Sequence, residues 1–287
     1  MRVLLAGESW VTHSVHVKGV DSFTTSAYVE GADRLREALA AADVEVDYLP
    51  GHLVPPRFPG TAAGLAAYGA VILSDIGANS LLLAPQTFER SVAAPNRLAA
   101  VEQYVRDGGG LLMIGGYLSF AGIEGKARYH GTPVEAALPV TISAVDDRAE
   151  RPEGVHPAVA QSGHPVLDGV PEDWPALLGY NQLTAKSAAQ VLVRCDADPL
   201  LTVGRHGAGR SAAFASDCAP HWCPPGFMAW PGYDPLWGNL IHWLAGQRLR
   251  RQVLADRERV LPGPAPRTDS SRNNLANACR AAGRLPS

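Results

Sequence analysis

The sequence predicts an α/β protein whose mostly parallel central sheet is covered on both faces. Three observations predict it. Short apolar runs alternate with stretches in which apolar residues recur at helical spacing. Those runs are apolar throughout rather than every second residue, as strands buried on both faces are. The clearest run, Leu111–Ile114, is opened by Gly108–Gly110 and closed by Gly115 and Gly116, the pattern of a buried strand ending in a sharp turn.

Arg2–Ala6 reads as the first strand. Gly7–Thr25 reads as a polar loop, and its length implies a function. Ala27–Ala41 places Leu35, Ala38, Leu39 and then Ala42 on one helix face, and Val44–Leu49 gives the second strand. His52–Gly60 holds three prolines and is expected as loop. Ala70–Ser74 is the third strand, Arg97–Arg106 a helix with Leu98, Val101, Tyr104 and Val105 inward, and Leu111–Ile114 the fourth strand. Residues 129–183, rich in Pro, Gly and His, are expected to elaborate this core, with a short strand at Val140–Ser143. Late strands follow at Val191–Arg194, Leu200–Arg205 and Ser211–Ser216, the last two joined through His206-Gly207-Ala208-Gly209 as a hairpin. Leu236–Leu244 is the last helix of a domain spanning residues 1–246.

Residues 247–287 differ in character: nine arginines face three acidic residues, with prolines at 262, 264 and 266. This tail is expected to be partly disordered or to pack on a neighbouring subunit, which leaves a homo-oligomer open.

With 287 residues, 46% hydrophobic and 18% charged, the chain has the composition of one large globular core. A net charge of −3 gives no reason to expect nucleic acid or an anionic membrane as partner. Cys195, Cys218, Cys223 and Cys279 show no paired metal spacing, and so few cysteines suit a reduced, cytoplasmic setting. Glu8 interrupts the initial apolar run far short of a secretory leader, and no run approaches the roughly 20 apolar residues of a membrane span. His13, His16 and Asp21 bring no further ligand by spacing, so neither a metal nor a cofactor is expected.

In open α/β sheets, ligands bind beyond the carboxyl ends of the strands. Four polar clusters fall there: Glu8 onward, Ser74-Asp75, the turn at Tyr117 with Ser119 and Lys126, and Asp217-Cys218 with His221 and Trp222. Glu8, Tyr117, Asp217 and His221 are the candidates for chemistry. Asp75, Ser119, Lys126 and Trp222 are the candidates for holding a small molecule. Each has an ordinary alternative: Glu8 as a turn cap, Asp75 as an Asx-turn former, Tyr117 as a rim tyrosine, Cys218 as a small buried hydrophobe, Lys126 with Arg128 as a solvated loop. A glycine-bounded turn after a strand is also where nucleophiles are held on strained backbone. Its apex here is Tyr117, not a cysteine or serine.

MRVLLAGESW, SDIGANS, GGYLSFAGIEGKARYHGTPV and SAAFASDCAPHW together resemble the glutamine amidotransferase-like family, a branch of the class I glutamine amidotransferase-like superfamily that lacks the elbow cysteine. The resemblance spans roughly Met1–Gly246 and implies a flavodoxin-like three-layer α/β/α sandwich. In true class I glutaminases a cysteine occupies the elbow, and a histidine and a glutamate follow a late strand. Tyr117 stands at the elbow here, and His221 matches the histidine without an H-x-E pair. The resemblance therefore implies ancestry with the glutaminases without their ammonia-producing chemistry. Three functions stay open: action on a small polar metabolite, glutamine hydrolysis by Cys218 as a displaced nucleophile, and a non-catalytic ligand-binding or assembly subunit.

Overall fold

Strands that are apolar on both faces sit at the centre of a computed structural model that describes residues 1–260, with side chains through Gly246. In chain order the strands are β1 (Arg2–Gly7), β2 (Ser9–Lys18), β3 (Asp21–Glu30), β4 (Glu45–Leu49), β5 (Ala70–Ser74), β6 (Gly110–Ile114) and β7 (Val140–Thr141). There follow β8 (Arg148–Val155), β9 (Ala158–Val159), β10 (Leu177–Asn181), β11 (Thr184–Ala185), β12 (Gln190–Cys195), β13 (Asp198–His206) and β14 (Gly209–Phe214). Eight of them form one sheet in the order β4-β1-β5-β6-β14-β13-β12-β9. The first five are parallel, and β13, β12 and β9 complete the sheet antiparallel.

The parallel part has the flavodoxin order 2-1-3-4-5. The chain leaves β1 toward β4 on one side and returns to β5 on the other. The carboxyl ends of β1 and β5 therefore flank the switch point where such sheets open a crevice. Val3–Ala6, Val71–Leu73 and Leu111–Ile114 are all but inaccessible to solvent, which explains their unbroken apolar sequence.

The helix Arg97–Arg106 begins at Asn96, whose Oδ1 accepts from the Leu98 and Ala99 amides at 3.0 and 3.2 Å. Leu236, Trp237, Leu240, Ile241 and Leu244 of the helix Tyr233–Val260 are buried, and Trp237 stacks edge-on against Phe214 of β14 at 5.0 Å. Residues 129–183 supply two small antiparallel pairs, β7 with β11 (Thr184 and Ala185) and β8 with β10.

The expected polar loop at Gly7–Thr25 is instead one side of a long hairpin, β2 with β3, paired from Ser9↔Glu30 to Lys18↔Asp21. The predicted helix consequently begins at Asp33 rather than Ala27. The physical reason is local. Val11, Thr12, Val15, Val17, Phe23, Thr24, Thr25 and Tyr28 favour extended backbone, and Gly19 turns the chain at φ +66°. Nearly every side chain of the hairpin is exposed, so its alternation carries no burial signal. The last helix is longer than predicted, reaching Val260, and its backbone takes in the first residues of the arginine-rich tail. The expectations for residues 261–287 lie outside the described residues.

Asn96 is exposed and its side chain serves only the helix start. Asn96→Ala is expected to cost about 1 kcal/mol, read as a lower urea midpoint at unchanged slope.

Candidate functional site

The chain crosses from β1 into the hairpin through two left-handed residues, Gly7 at φ +107° and Glu8 at φ +48°. A Cβ on Gly7 would lie 1.9 Å from the Ser74 carbonyl oxygen, so only glycine lets β1 and β5 end this close. The Glu8 amide donates to that same oxygen at 2.8 Å, and the Glu8 carbonyl accepts from Gly31 N and Tyr48 Oη at 2.9 and 3.0 Å. With its backbone held on three sides, Glu8 turns its carboxyl group inward. There Ser74 Oγ and, at 3.6 Å, Cys218 Sγ donate to Oε2.

Asp75 follows β5 with φ +41°. Its Oδ1 accepts from the Leu118 amide at 2.6 Å, and its own amide donates to Ser119 Oγ, which donates to the Ile114 carbonyl at 2.5 Å. These bonds tie the turn after β5 to the turn after β6. Gly116, at φ +145°, leaves the room: a Cβ there would stand 2.6 Å from Asp75 Oδ1. Asn181 of β10 completes the lock. Its Oδ1 accepts from Gly116 N at 3.1 Å, while its Nδ2 donates to the Gly116 carbonyl and to Asp147, which accepts from the Ala121 and Gly122 amides.

Left-handed backbone thus occurs at Gly116, Glu8 and Asp75, and not at Tyr117. The expectation of a strained apex at Tyr117 is corrected, because a glycine ahead of it absorbs the turn. The Tyr117 hydroxyl donates to Glu150 Oε1 at 3.0 Å, and the Arg148 guanidinium lies 4.7 Å over its ring. Trp222 Nε1 donates to the other oxygen of Glu150 at 2.9 Å. His221 stands edge-on to Tyr117 at 4.0 Å, stacks on Trp222 at 5.1 Å, and brings Nδ1 to 3.5 Å from Asp217 Oδ2.

The structure therefore gathers Glu8, Asp217, His221, Tyr117 and Trp222 into one connected cluster, with Asp75 at its edge. One ligand atom each of Glu8, Asp217 and Cys218 lies within 4.8 Å of the others, the spacing of a three-donor cation site; the hydrogens of Ser74 and Cys218 bridge onto Glu8 in the same space. Ser119 spends its buried hydroxyl on the two turns. Lys126 is not part of the cluster, being exposed and paired with Glu124 at 2.6 Å. Out on the hairpin, His13 bonds Ser26 Oγ at 2.8 Å and His16 stacks on Phe23 at 4.5 Å, so the two do not share a site.

Burial pushes the Glu8 carboxyl well above the usual carboxylate range, and the charges of Asp217 and Asp75 push it further. Burial, then Asp75, raises Asp217 to about 8. Asp75 is raised by burial against the opposing Leu118 amide. Burial, followed by the negative charges of Glu8 and Asp217, moves the Cys218 thiol well above its ordinary value, so it stays protonated. Desolvation lowers His221, against the pull of Asp75, Glu150 and Glu8, and leaves the ring neutral near pH 7. Buried proton donors thus back a neutral imidazole, an arrangement suited to general acid–base work. A cavity of about 220 Å³ adjoins it, lined by Ser9, Trp10, Tyr28, His52, Asp75 and Leu118. Asp75 belongs to both.

Sequence reasoning missed Arg148, Glu150, Asp147 and Asn181. All four come from the elaboration; the charge-dense DDRAE stretch was the sequence signal for Asp147, Arg148 and Glu150, and Asn181 carried none.

The strand order and a polar cluster at the switch point define a doubly wound protein of class I glutamine amidotransferase-like architecture. Residues 2–246 match the family described as "Putative glutamine amidotransferase", and the chain belongs to that family. Cytoplasmic protein STM3548 of Salmonella typhimurium is similar at 45% identity and a TM-score of 0.82, over 85% of this chain and 99% of its own. Cytoplasmic protein STM1381 of Salmonella typhimurium LT2 is similar at 47% identity with the same TM-score and coverage. No curated protein sequence matches the chain.

Two expectations follow from this geometry. Asp217 moves from an ordinary 3.8 to about 8, so the native state holds its proton through a window where the unfolded state has lost it. Its contribution to stability is therefore complete below about pH 4 and declines as pH rises toward about 8. Thermal melts across that range should show Asp217→Asn flattening the decline. Gly116→Ala meets both a disfavoured φ and the Asp75 carboxylate, and should lower the unfolding free energy by about 1–3 kcal/mol in denaturant titrations.

Proposed function

We propose that this member of the family acts on a small polar metabolite by acid–base chemistry, in a cytoplasmic setting and without glutaminase activity. The observation that carries this reading is the convergence of Glu8, Asp75, Asp217 and His221 at neighbouring strand ends, while the elbow holds Tyr117. His221, exposed and neutral, exchanges the proton with the ligand, and Asp217 orients its Nδ1. Asp75 presents its carboxyl group to the cavity, and Tyr117, His221 and Trp222 form an aromatic cluster beside it, outside the cavity's own lining. Glutamine hydrolysis would need a thiolate. Cys218 is fully buried and lies among carboxyl groups that oppose one, so the displaced-nucleophile reading is disfavoured. That the two similar Salmonella proteins are described as cytoplasmic supports the cytoplasmic setting.

A second reading has its own support. Glu8 and Asp217 are only 1% and 3% exposed and neither lines the cavity, so a ligand there meets Asp75 before it meets them. In a non-catalytic binding subunit, the deeper acids would simply hold the strand ends together.

Purified protein is expected to release no ammonia from glutamine above background. Robust release that disappears in Cys218→Ala would overturn the proposal. A thermal-shift screen with sugars, polyols and small amides should yield a ligand that loses its effect in Asp75→Asn and in His221→Ala; a ligand at a hundred times its Kd stabilises by about 2.7 kcal/mol. Turnover of that ligand, lost in His221→Ala, separates the enzyme from the binding subunit.

A further inference from the structure

The hairpin of β2 and β3 is the feature that the body of the protein does least to explain. Two ten-residue strands leave the sheet at Glu8 and return at Gly31, and no other strand among the described residues pairs with either edge. Contact with the body is made at the base, where Ser9 Oγ accepts from Gly51 N at 2.7 Å and Tyr28 meets His52 edge-on at 5.3 Å. Of the thirteen large apolar side chains exposed among the described residues, eight lie on this arm. Val11, Val15, Val17 and Tyr28 share one face; Trp10, Phe23 and Val29 share the other. Between Trp10 and Val17, and between Ser22 and Val29, there is no acidic residue, lysine or arginine.

A lone two-stranded hairpin is marginally stable in water, and an uncharged edge strand invites another strand to pair with it. We infer that the arm is a self-association device whose β2 edge pairs antiparallel with the β2 edge of a second copy of this chain. Three features favour a second copy. The arm is nearly neutral, carrying Lys18, Asp21 and Glu30 only at its ends, so it complements no strongly charged partner. Joining two arms edge to edge also makes one four-stranded sheet, past the three strands that independent stability asks for. Antiparallel pairing about a twofold axis also closes on itself, and it sets residues of like parity opposite each other. With Ser14 at the axis, Val11 and Val17 of one copy then face Val17 and Val11 of the other, and Val15 lies diagonal to Val11 on the same face.

Charge selects the edge. Pairing two β3 edges would bring the Asp21 end of each copy toward the Glu30 end of the other, so that each end of the joint carries two acids and no cation. On β2 the only full charge is Lys18, which would approach the uncharged Ser9 end. The base of the arm, with Ser9, Trp10, Val11 and Tyr28, also lines the cavity that opens on Asp75, so association borders the candidate site.

Sedimentation velocity of the full chain at tens of micromolar tests this. The wild type should run at twice its 30.4 kDa mass or a higher multiple. Val15→Lys combined with Phe23→Lys should halve that mass or reduce it to the monomer, with the far-ultraviolet spectrum and melting cooperativity retained. Replacing residues 10–29 by an Asn-Gly turn keeps the Ser9↔Glu30 pair and should do the same. Hydrogen exchange gives the edge: in the wild type, outward amides of β2 should exchange at least tenfold more slowly than those of β3, a difference lost in the lysine variant. A monomeric wild type, an armless variant with unchanged mass, or slower exchange on β3 would each overturn the inference. None of these readouts depends on ligand or turnover, so they stand apart from the proposed chemistry.

Discussion

Close approach of backbone at three strand ends is the constraint from which the rest of the site follows. Gly7 lies against the Ser74 carbonyl and Gly116 against the Asp75 carboxylate, in positions no other residue type fills without displacement. Because β1, β5 and β6 end this tightly, the side chains of Glu8 and Asp75 have nowhere to go but across the sheet edge. Burial follows from that direction, and the raised carboxyl groups follow from burial. The ordinary rule that a carboxylate accepts protons only in acid is inverted at this edge by geometry alone.

Concentrating three acids in a water-poor space works against stability. Each lost hydration must be offset by donors, and the donors present are a serine hydroxyl, a thiol and backbone amides rather than cations. The cluster settles this by retaining protons. That links it directly to a neutral histidine, since His221 sits beside acids that are not fully charged and is itself desolvated. Proton inventory and ring charge are thus set together.

Strands β5 and β6 and the helix Arg97–Arg106 were legible because their apolar runs and helical spacing record burial. So were Glu8, Asp75, Asp217 and His221, since each falls just after such a run. The hairpin was not legible, because both of its faces meet solvent and Thr, Ser and His there look like loop composition. Glu150, Arg148 and Asn181 were not legible either. They reach the site by tertiary folding of a Pro- and Gly-rich stretch whose local pattern points to no strand end. Tyr117 shows a finer limit: the glycine-bounded turn marked the place, but only coordinates show that Gly116 takes the positive φ and sends the tyrosine outward to Glu150.

Asn181 carries a consequence for how far the elbow of this chain can be altered on its own. One side chain from β10 satisfies both the amide and the carbonyl of Gly116, and the same residue holds Asp147, which anchors the loop beyond the turn. The elbow and the elaboration are therefore a single structural unit. Shortening the elaboration would release the turn, and a cysteine placed at position 117 would land on backbone already shaped for a tyrosine that reaches Glu150. Changes at the elbow and changes in the elaboration are therefore coupled, and a redesign of either has to carry the other with it.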